Sequence, residues 1–197
     1  MGAFQHMTYD GSDTIILYEE LAYQDVLPVA WRPLPAEPDA DVLASFAHTN
    51  IRVLQACAAL EEHSTGEKKE ENSPHSADLV RIDLKINLLL DLVGKILAAN
   101  HPRPAPMPIR FNAVGATWRA GKTPVPQSGS QGVLEVYLHD AIAEPVRLAG
   151  LVTKVTRDEI NVRFHPPGEA TADLIEKLAF RRHRRSVAGA RQPRRGQ

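Results

Sequence analysis

The chain has 197 residues, 23 Lys and Arg against 24 Asp and Glu, and 43% hydrophobic residues. That length and balance suit one globular domain, or a small domain with an extension, able to bury a core. A formal net charge of -1 leaves no whole-molecule field to drive the chain onto nucleic acid or a membrane surface. The single cysteine, Cys57, excludes an internal disulfide framework and fits a reducing, cytoplasmic compartment.

Residues 1–7 have the look of a cloning remnant and are set aside. Residues 8–38 are predicted to be extended. Ile15, Ile16, Leu17 and Tyr18 form an apolar run, and Pro28, Pro33, Pro35 and Pro38 then break the chain into a non-helical connector. Residues 39–63 read as a helix, capped by Asp39 or Asp41, with Leu43, Phe46, Ile51, Leu54, Cys57 and Leu60 at helical spacing. In that setting Cys57 is a small buried apolar residue rather than a reactive thiol. The polar residues 63–75 have nothing to bury and are predicted to be mobile. Ser76 opens a second helix to about Asn100, so residues 39–100 form a helical hairpin. Its most apolar part, residues 86–99, carries Asn87, Asp91, Gly94 and Lys95 and is too short and polar to span a bilayer. Residues 101–108 are a stiff Pro-rich linker. Short β-branched runs follow from Ile109 to Phe164, punctuated by glycines, as in a small antiparallel barrel. A closing helix is predicted from Asp173 to about Arg184, with Leu174, Ile175, Leu178 and Ala179 on one side, and residues 186–197 form a disordered basic tail. The fold class is therefore α+β.

The strongest pattern lies on the second helix. Leu79, Ile82, Ile86, Leu89, Val93 and Ile96 alternate three and four residues apart, an a/d heptad seam. Leu90 and Leu97 at e positions, Leu92 at g and Leu88 at c widen the apolar face beyond what one partner helix covers. The first helix is expected to cover part of it, and further copies of the chain the rest. A tetramer is favoured over a dimer.

The segments Ile109-Arg-Phe-Asn-Ala-Val-Gly-Ala-Thr-Trp, Val133-Leu-Glu-Val-Tyr-Leu, Leu148-Ala-Gly-Leu-Val-Thr-Lys-Val and Ile160-Asn-Val-Arg-Phe resemble, in order, the strands of a PilZ domain, a bacterial receptor for cyclic di-GMP. The helical insert Leu84-Lys-Ile-Asn-Leu-Leu-Leu-Asp-Leu-Val-Gly resembles the atypical, xanthomonad-type branch, whose members can be tetramers held by a helix bundle. The resemblance implies a PilZ-like barrel with its closing helix over residues 109–185, packed with the N-terminal extended segment. It also implies what a nucleotide-binding member needs: Arg-x-x-x-Arg before the first strand, then Asp/Asn-x-Ser-x-x-Gly. Aligned on Gly115, this chain has Arg110 for the Asp/Asn and Asn112 for the Ser, and only Arg103 among prolines beforehand. Cyclic di-GMP is therefore not an expected ligand.

No catalytic constellation emerges. The histidines show no metal spacing, the adjacent His139 and Asp140 on a strand end point to opposite sides, and Gly129-Ser-Gln-Gly lacks the lysine of a phosphate loop. Arg181-x-x-x-Arg185 reads as a solvated basic helix end. The expectation is a non-enzymatic, cytoplasmic, self-associating regulatory protein. It acts on an unidentified protein partner, without metal or cofactor, membrane or nucleic-acid binding, and with a rearranged cyclic di-GMP site as the alternative.

Overall fold

The computed structural model describes residues 16–18, 20–64, 76–100, 102–121 and 124–190. The presumed remnant, the polar segment 65–75 and the end of the basic tail, 191–197, lie outside the described residues. Two short strands, β1 (Ile16–Leu17) and β2 (Glu20–Leu21), pair with each other. The long strand β3 (Tyr23–Leu34) follows, then helices α1 (Ala40–Ser64) and α2 (Ser76–Asn100). Strands β4 (Pro106–Phe111), β5 (Gly115–Arg119), β6 (Gln131–Val136), β7 (Val146–Thr156) and β8 (Glu159–Phe164) precede helix α3 (Glu169–Ala190). The strands close a barrel in the order β3-β4-β5-β8-β7-β6, antiparallel throughout.

Closure depends on β3, the segment whose prolines suggested a connector. Its first half pairs with β4, from Tyr23 opposite Phe111 to Pro28 opposite Pro106. Its second half pairs with β6, from Val29 opposite Val136 to Leu34 opposite Gln131. The prolines are tolerated for a reason of parity. The Pro28 carbonyl accepts a hydrogen bond from the Tyr137 N–H at 3.0 Å, so the backbone of Pro28 faces the β6 side, away from its partner β4. Five residues later the side alternates, and Pro33 faces away from its partner β6. Pro28 therefore removes no donor from the ladder with β4, and Pro33 none from the ladder with β6, the positions at which strands accept proline. Likewise β4 begins at Pro106, inside the expected linker.

Alternate residues of β3 point inward: Tyr23, Leu27 and Val29 are buried with Phe111, Trp118, Leu134, Leu148, Val152 and Ile160. Outside the barrel, α1 and α3 pack on each other, α1 also on β7. Asp39 caps α1, its Oδ1 accepting the Val42 N–H at 2.9 Å. The buried stripe of α1 is Asn50, Val53, Leu54 and Cys57. The Asn50 amide accepts the Arg147 N–H and donates to the Arg147 carbonyl, both at 2.8 Å, so the helix is hydrogen-bonded to the β7 backbone. The stripe of α3 is Ile175, Leu178 and Ala179, and this helix extends beyond the predicted end, through Ala190.

The α1 stripe is thus used on the barrel and α3. It does not shield α2 as the sequence suggested, because the apolar face of a helix can be buried only once.

Candidate functional site

The sequence-derived expectations concern three features: the motif around Gly115, the arginines, and the α2 seam. Arg110 stands exposed on β4, with Gln24 and Thr117 as its cross-strand neighbours. Asn112 is buried and every polar group of its side chain is used. Its Oδ1 accepts the N–H groups of Val114 and Gly115, both at 2.9 Å, and its Nδ2 donates to the Leu17 carbonyl at 2.7 Å. Gly115 begins β5 rather than occupying a turn apex. A Cβ there would fall 2.3 Å from Cε2 of Tyr18 and 2.4 Å from the Val162 carbonyl oxygen, so glycine is required by close approach. Tyr18 is held over it. Its hydroxyl donates to the Val162 carbonyl at 3.2 Å, and the Arg163 guanidinium lies 5.8 Å from its ring centre. The segment leading into the barrel therefore covers Asn112 and Gly115, while Arg110 remains outside.

Arg103 is also committed. Its guanidinium donates to the Asp140 carboxylate at 3.2 Å and to the carbonyls of Asp140 and Ile142 at 2.9 and 2.7 Å, and it lies over the Tyr137 ring. It fastens the strand entry to the loop after β6.

The basic end of α3 is not simply solvated, as Arg181-x-x-x-Arg185 suggested. Between those arginines, Arg182 turns inward, its side chain 13% exposed. It donates to Glu61 Oε1 at 2.6 Å, to the Leu138 carbonyl at 3.0 Å and to the Tyr23 hydroxyl at 2.5 Å, and stands over the Tyr23 ring. The Tyr23 hydroxyl in turn donates to Asp25. Burial pushes the Tyr23 hydroxyl well above its usual range, Arg182 opposing and Asp25 adding to the shift. For Arg182, burial acts downward, but Tyr23 and Glu61 outweigh it and the net shift is upward. The arrangement ties α1, α3, β3 and the end of β6 together around a fixed cation. A signal for it existed in the sequence. Arg182 continues the Ile175, Leu178, Ala179 stripe, and Glu61 continues Leu54 and Cys57, each at helical spacing.

The α2 seam is present as a surface. Leu79, Ile82, Ile86, Leu89, Val93 and Ile96 are between 48% and 61% exposed in the protomer. Leu84, Leu88, Leu90 and Leu92 are exposed as well. Gly94 is the buried exception, where α2 approaches the loop after β6. A Cβ there would lie 2.7 Å from the Ala141 Cα.

No group of His, Cys, Asp and Glu able to hold a metal occurs among the described residues, and no helix there is long and apolar enough to cross a membrane. The model of the family described as "Atypical PilZ domain, cyclic di-GMP receptor" matches residues 54–192. No curated protein matches the chain. Among solved structures, the chain is similar to a pathogenic protein from Xanthomonas campestris, described as a tetrameric PilZ domain self-assembled via an unusual helical bundle. The TM-score is 0.70 at 22% identity, over 92% of this chain and 98% of that one. With a closed six-stranded barrel, a helical insert and a family match over most of its length, the chain belongs to the atypical PilZ domain family.

Proposed function

We propose that this protein is a non-enzymatic, oligomeric PilZ-type adaptor. It acts through contacts with an unidentified protein partner in bacterial signalling, such as motility, pilus or virulence control, and does not capture cyclic di-GMP. The observation that carries the ligand half is the occupation of Asn112 and Gly115 by Leu17 and Tyr18 of the same chain. A ligand with two phosphates and two guanine edges needs several converging arginines. Arg103 is spent on Asp140 and Ile142, and Arg182 on Glu61 and Tyr23. Losing two charge-assisted contacts at roughly 1.5–3 kcal/mol each lowers affinity by about two to four powers of ten. Calorimetry at micromolar protein and low salt is the test, with no saturable heat expected. A dissociation constant in the low micromolar range or tighter would promote the alternative reading, a cyclic di-GMP receptor with a rearranged site. That reading draws on Arg110, Asn112 and the Arg181–Arg185 cluster around Gly115, of which Arg110 stands exposed.

The oligomeric half rests on the exposed α2 seam. Water does not sustain so wide a row of Leu, Ile and Val on a stable surface, and the helix of a second copy has the same a/d spacing to fill it. A tetramer accommodates the additional leucines at e, g and c positions, and the X. campestris relative is described as such an assembly. A cytoplasmic setting suits the unpaired, buried Cys57. Neither membrane nor nucleic acid is part of this reading, and no metal or cofactor is invoked.

A further inference from the structure

On the outside of the barrel, the strand register sets residues of β4, β5, β8 and β7 in one row. Arg110 stands opposite Thr117, Thr117 opposite Asn161, and Asn161 opposite Lys154. Two residues from that row and on the same face, Arg119 follows Thr117 on β5 and Arg163 follows Asn161 on β8. Arg110, Arg119, Lys154 and Arg163 are all exposed. Strands lie about 4.8 Å apart and rise about 3.3 Å per residue. The four cations therefore stand around Thr117 and Asn161 at the corners of a diamond about 14 Å across the strands and about 13 Å along them. A shallow groove of about 170 Å³ passes Gln24, Arg110, Thr117 and Arg119 on this face.

None of these four cations forms an ion pair among the described residues. Arg32, Arg81, Arg103, Arg147 and Arg182, by contrast, each hold a carboxylate. In these rows the acid is Glu159, opposite Arg119, so the face is net positive on a chain whose formal net charge is -1. Like charges gathered on one face repel, and a partner that brings carboxylates relieves the repulsion. The centre of the diamond favours a polypeptide over other polyanions. The Asn161 side-chain amide has no hydrogen-bond partner among the described residues. It offers a donor and an acceptor, the two groups that a peptide backbone presents in return. The nearby Tyr18 ring is turned onto Gly115, so it gives a nucleic-acid base no platform to stack on. An extended chain gains up to about 3.6 Å per residue, so about four residues reach from Arg110 to Lys154.

We propose that this open face of the barrel docks an acidic, extended segment of a partner protein, its carboxylates on Arg110, Arg119, Lys154 and Arg163 and its backbone over Asn161. The proposal rests on the adaptor reading above and names the kind of partner. The probes are fluorescein-labelled hexaglutamate and, at similar charge, hexathymidylate. Each is titrated with the full-length protein at low salt and followed by fluorescence anisotropy. Hexaglutamate is expected to saturate, to bind more tightly than hexathymidylate, and to weaken as salt is raised, because the contacts are exposed. Arg110→Gln with Lys154→Gln removes two exposed charges and should weaken hexaglutamate about tenfold. Replacing Arg191, Arg194 and Arg195 of the basic tail with Gln should leave its affinity unchanged. Three results would each overturn this proposal alone: no saturation by hexaglutamate, equal or tighter binding of hexathymidylate, or a loss confined to the tail variant. Displacement of bound hexaglutamate by low-micromolar cyclic di-GMP is a separate outcome, which would overturn the adaptor reading and the proposal with it. The comparison of the two probes uses the parent protein, so it decides the matter even if a variant does not fold.

Discussion

Arg182 and Glu61 stand 121 residues apart in sequence and meet at 2.6 Å between α3 and α1. Their side chains are 13% and 7% exposed. A pair this sheltered gains little over an apolar replacement of both partners, yet the loss of one leaves a buried charge behind. Arg182→Met should therefore destabilise the protein by about 3–5 kcal/mol. The double variant Arg182→Met, Glu61→Met should lose less than the sum of the two single changes. Urea midpoints at one fixed protein concentration measure both, and strict additivity would show that the two side chains are not coupled.

Alkaline stability follows from Cys57, at the foot of the same network. Burial pushes its thiol up to about 11. In the unfolded chain the thiol ionises near 8.5, so between those values the unfolded state has lost a proton that the folded state keeps. Stability is then present in full below about pH 8.5 and falls as pH rises toward 11, by at most about 1.4 kcal/mol per unit. Cys57→Ala should flatten that part of the pH profile. The remaining slope at higher pH belongs to Tyr23, whose raised hydroxyl acts in the same direction. A parent and variant with identical slopes between pH 9 and 10 would sink this assignment.

The α2 seam can be tested without touching the barrel. Ile86 and Leu89 are exposed in the protomer, so Ile86→Asp with Leu89→Asp should leave the barrel folded. In the assembly each substitution places an uncompensated carboxylate in an apolar seam, at a cost of several kcal/mol. Sedimentation should show the parent as an oligomer and the variant as a monomer with an unchanged thermal transition of the barrel. Equal molar masses would mean that self-association, if present, uses another face.

Gly115→Ala should destabilise the protein by about 1–3 kcal/mol, the usual effect of overpacking. The added methyl meets the Val162 carbonyl oxygen at 2.4 Å, and a backbone oxygen inside a sheet cannot move aside. Combining it with Tyr18→Ala should recover only part of the loss, because removal of the ring leaves that carbonyl in place. Full recovery would show that the Tyr18 ring alone imposes the glycine.

Much of the fold is local in origin, and that part was legible in the sequence. The Asp39 cap, the start of α2 at Ser76, the seam from Leu79 to Ile96 and the strands from Val133 to Phe164 depend on residues a few positions apart. Periodicity and capping operate at that range. The same holds for the burial of Cys57 within its helical stripe.

What tertiary structure decided lies at long range. The prolines of β3 look like breaks until the strand is seen to face β4 with one half and β6 with the other. Arg182 looks like one of several solvated arginines until α1 brings Glu61 and β3 brings Tyr23 to it. Gly115 looks like a turn glycine until Tyr18, hydrogen-bonded to a carbonyl 144 residues away, settles on it. The first helix looked like a cover for the second, and only the packed barrel revealed that its apolar stripe was already taken. Hydrophobic pattern states that a face will be buried, since burial is favourable against almost any apolar surface. It does not state against which one, because that is set by competition among partners that chain closure brings together.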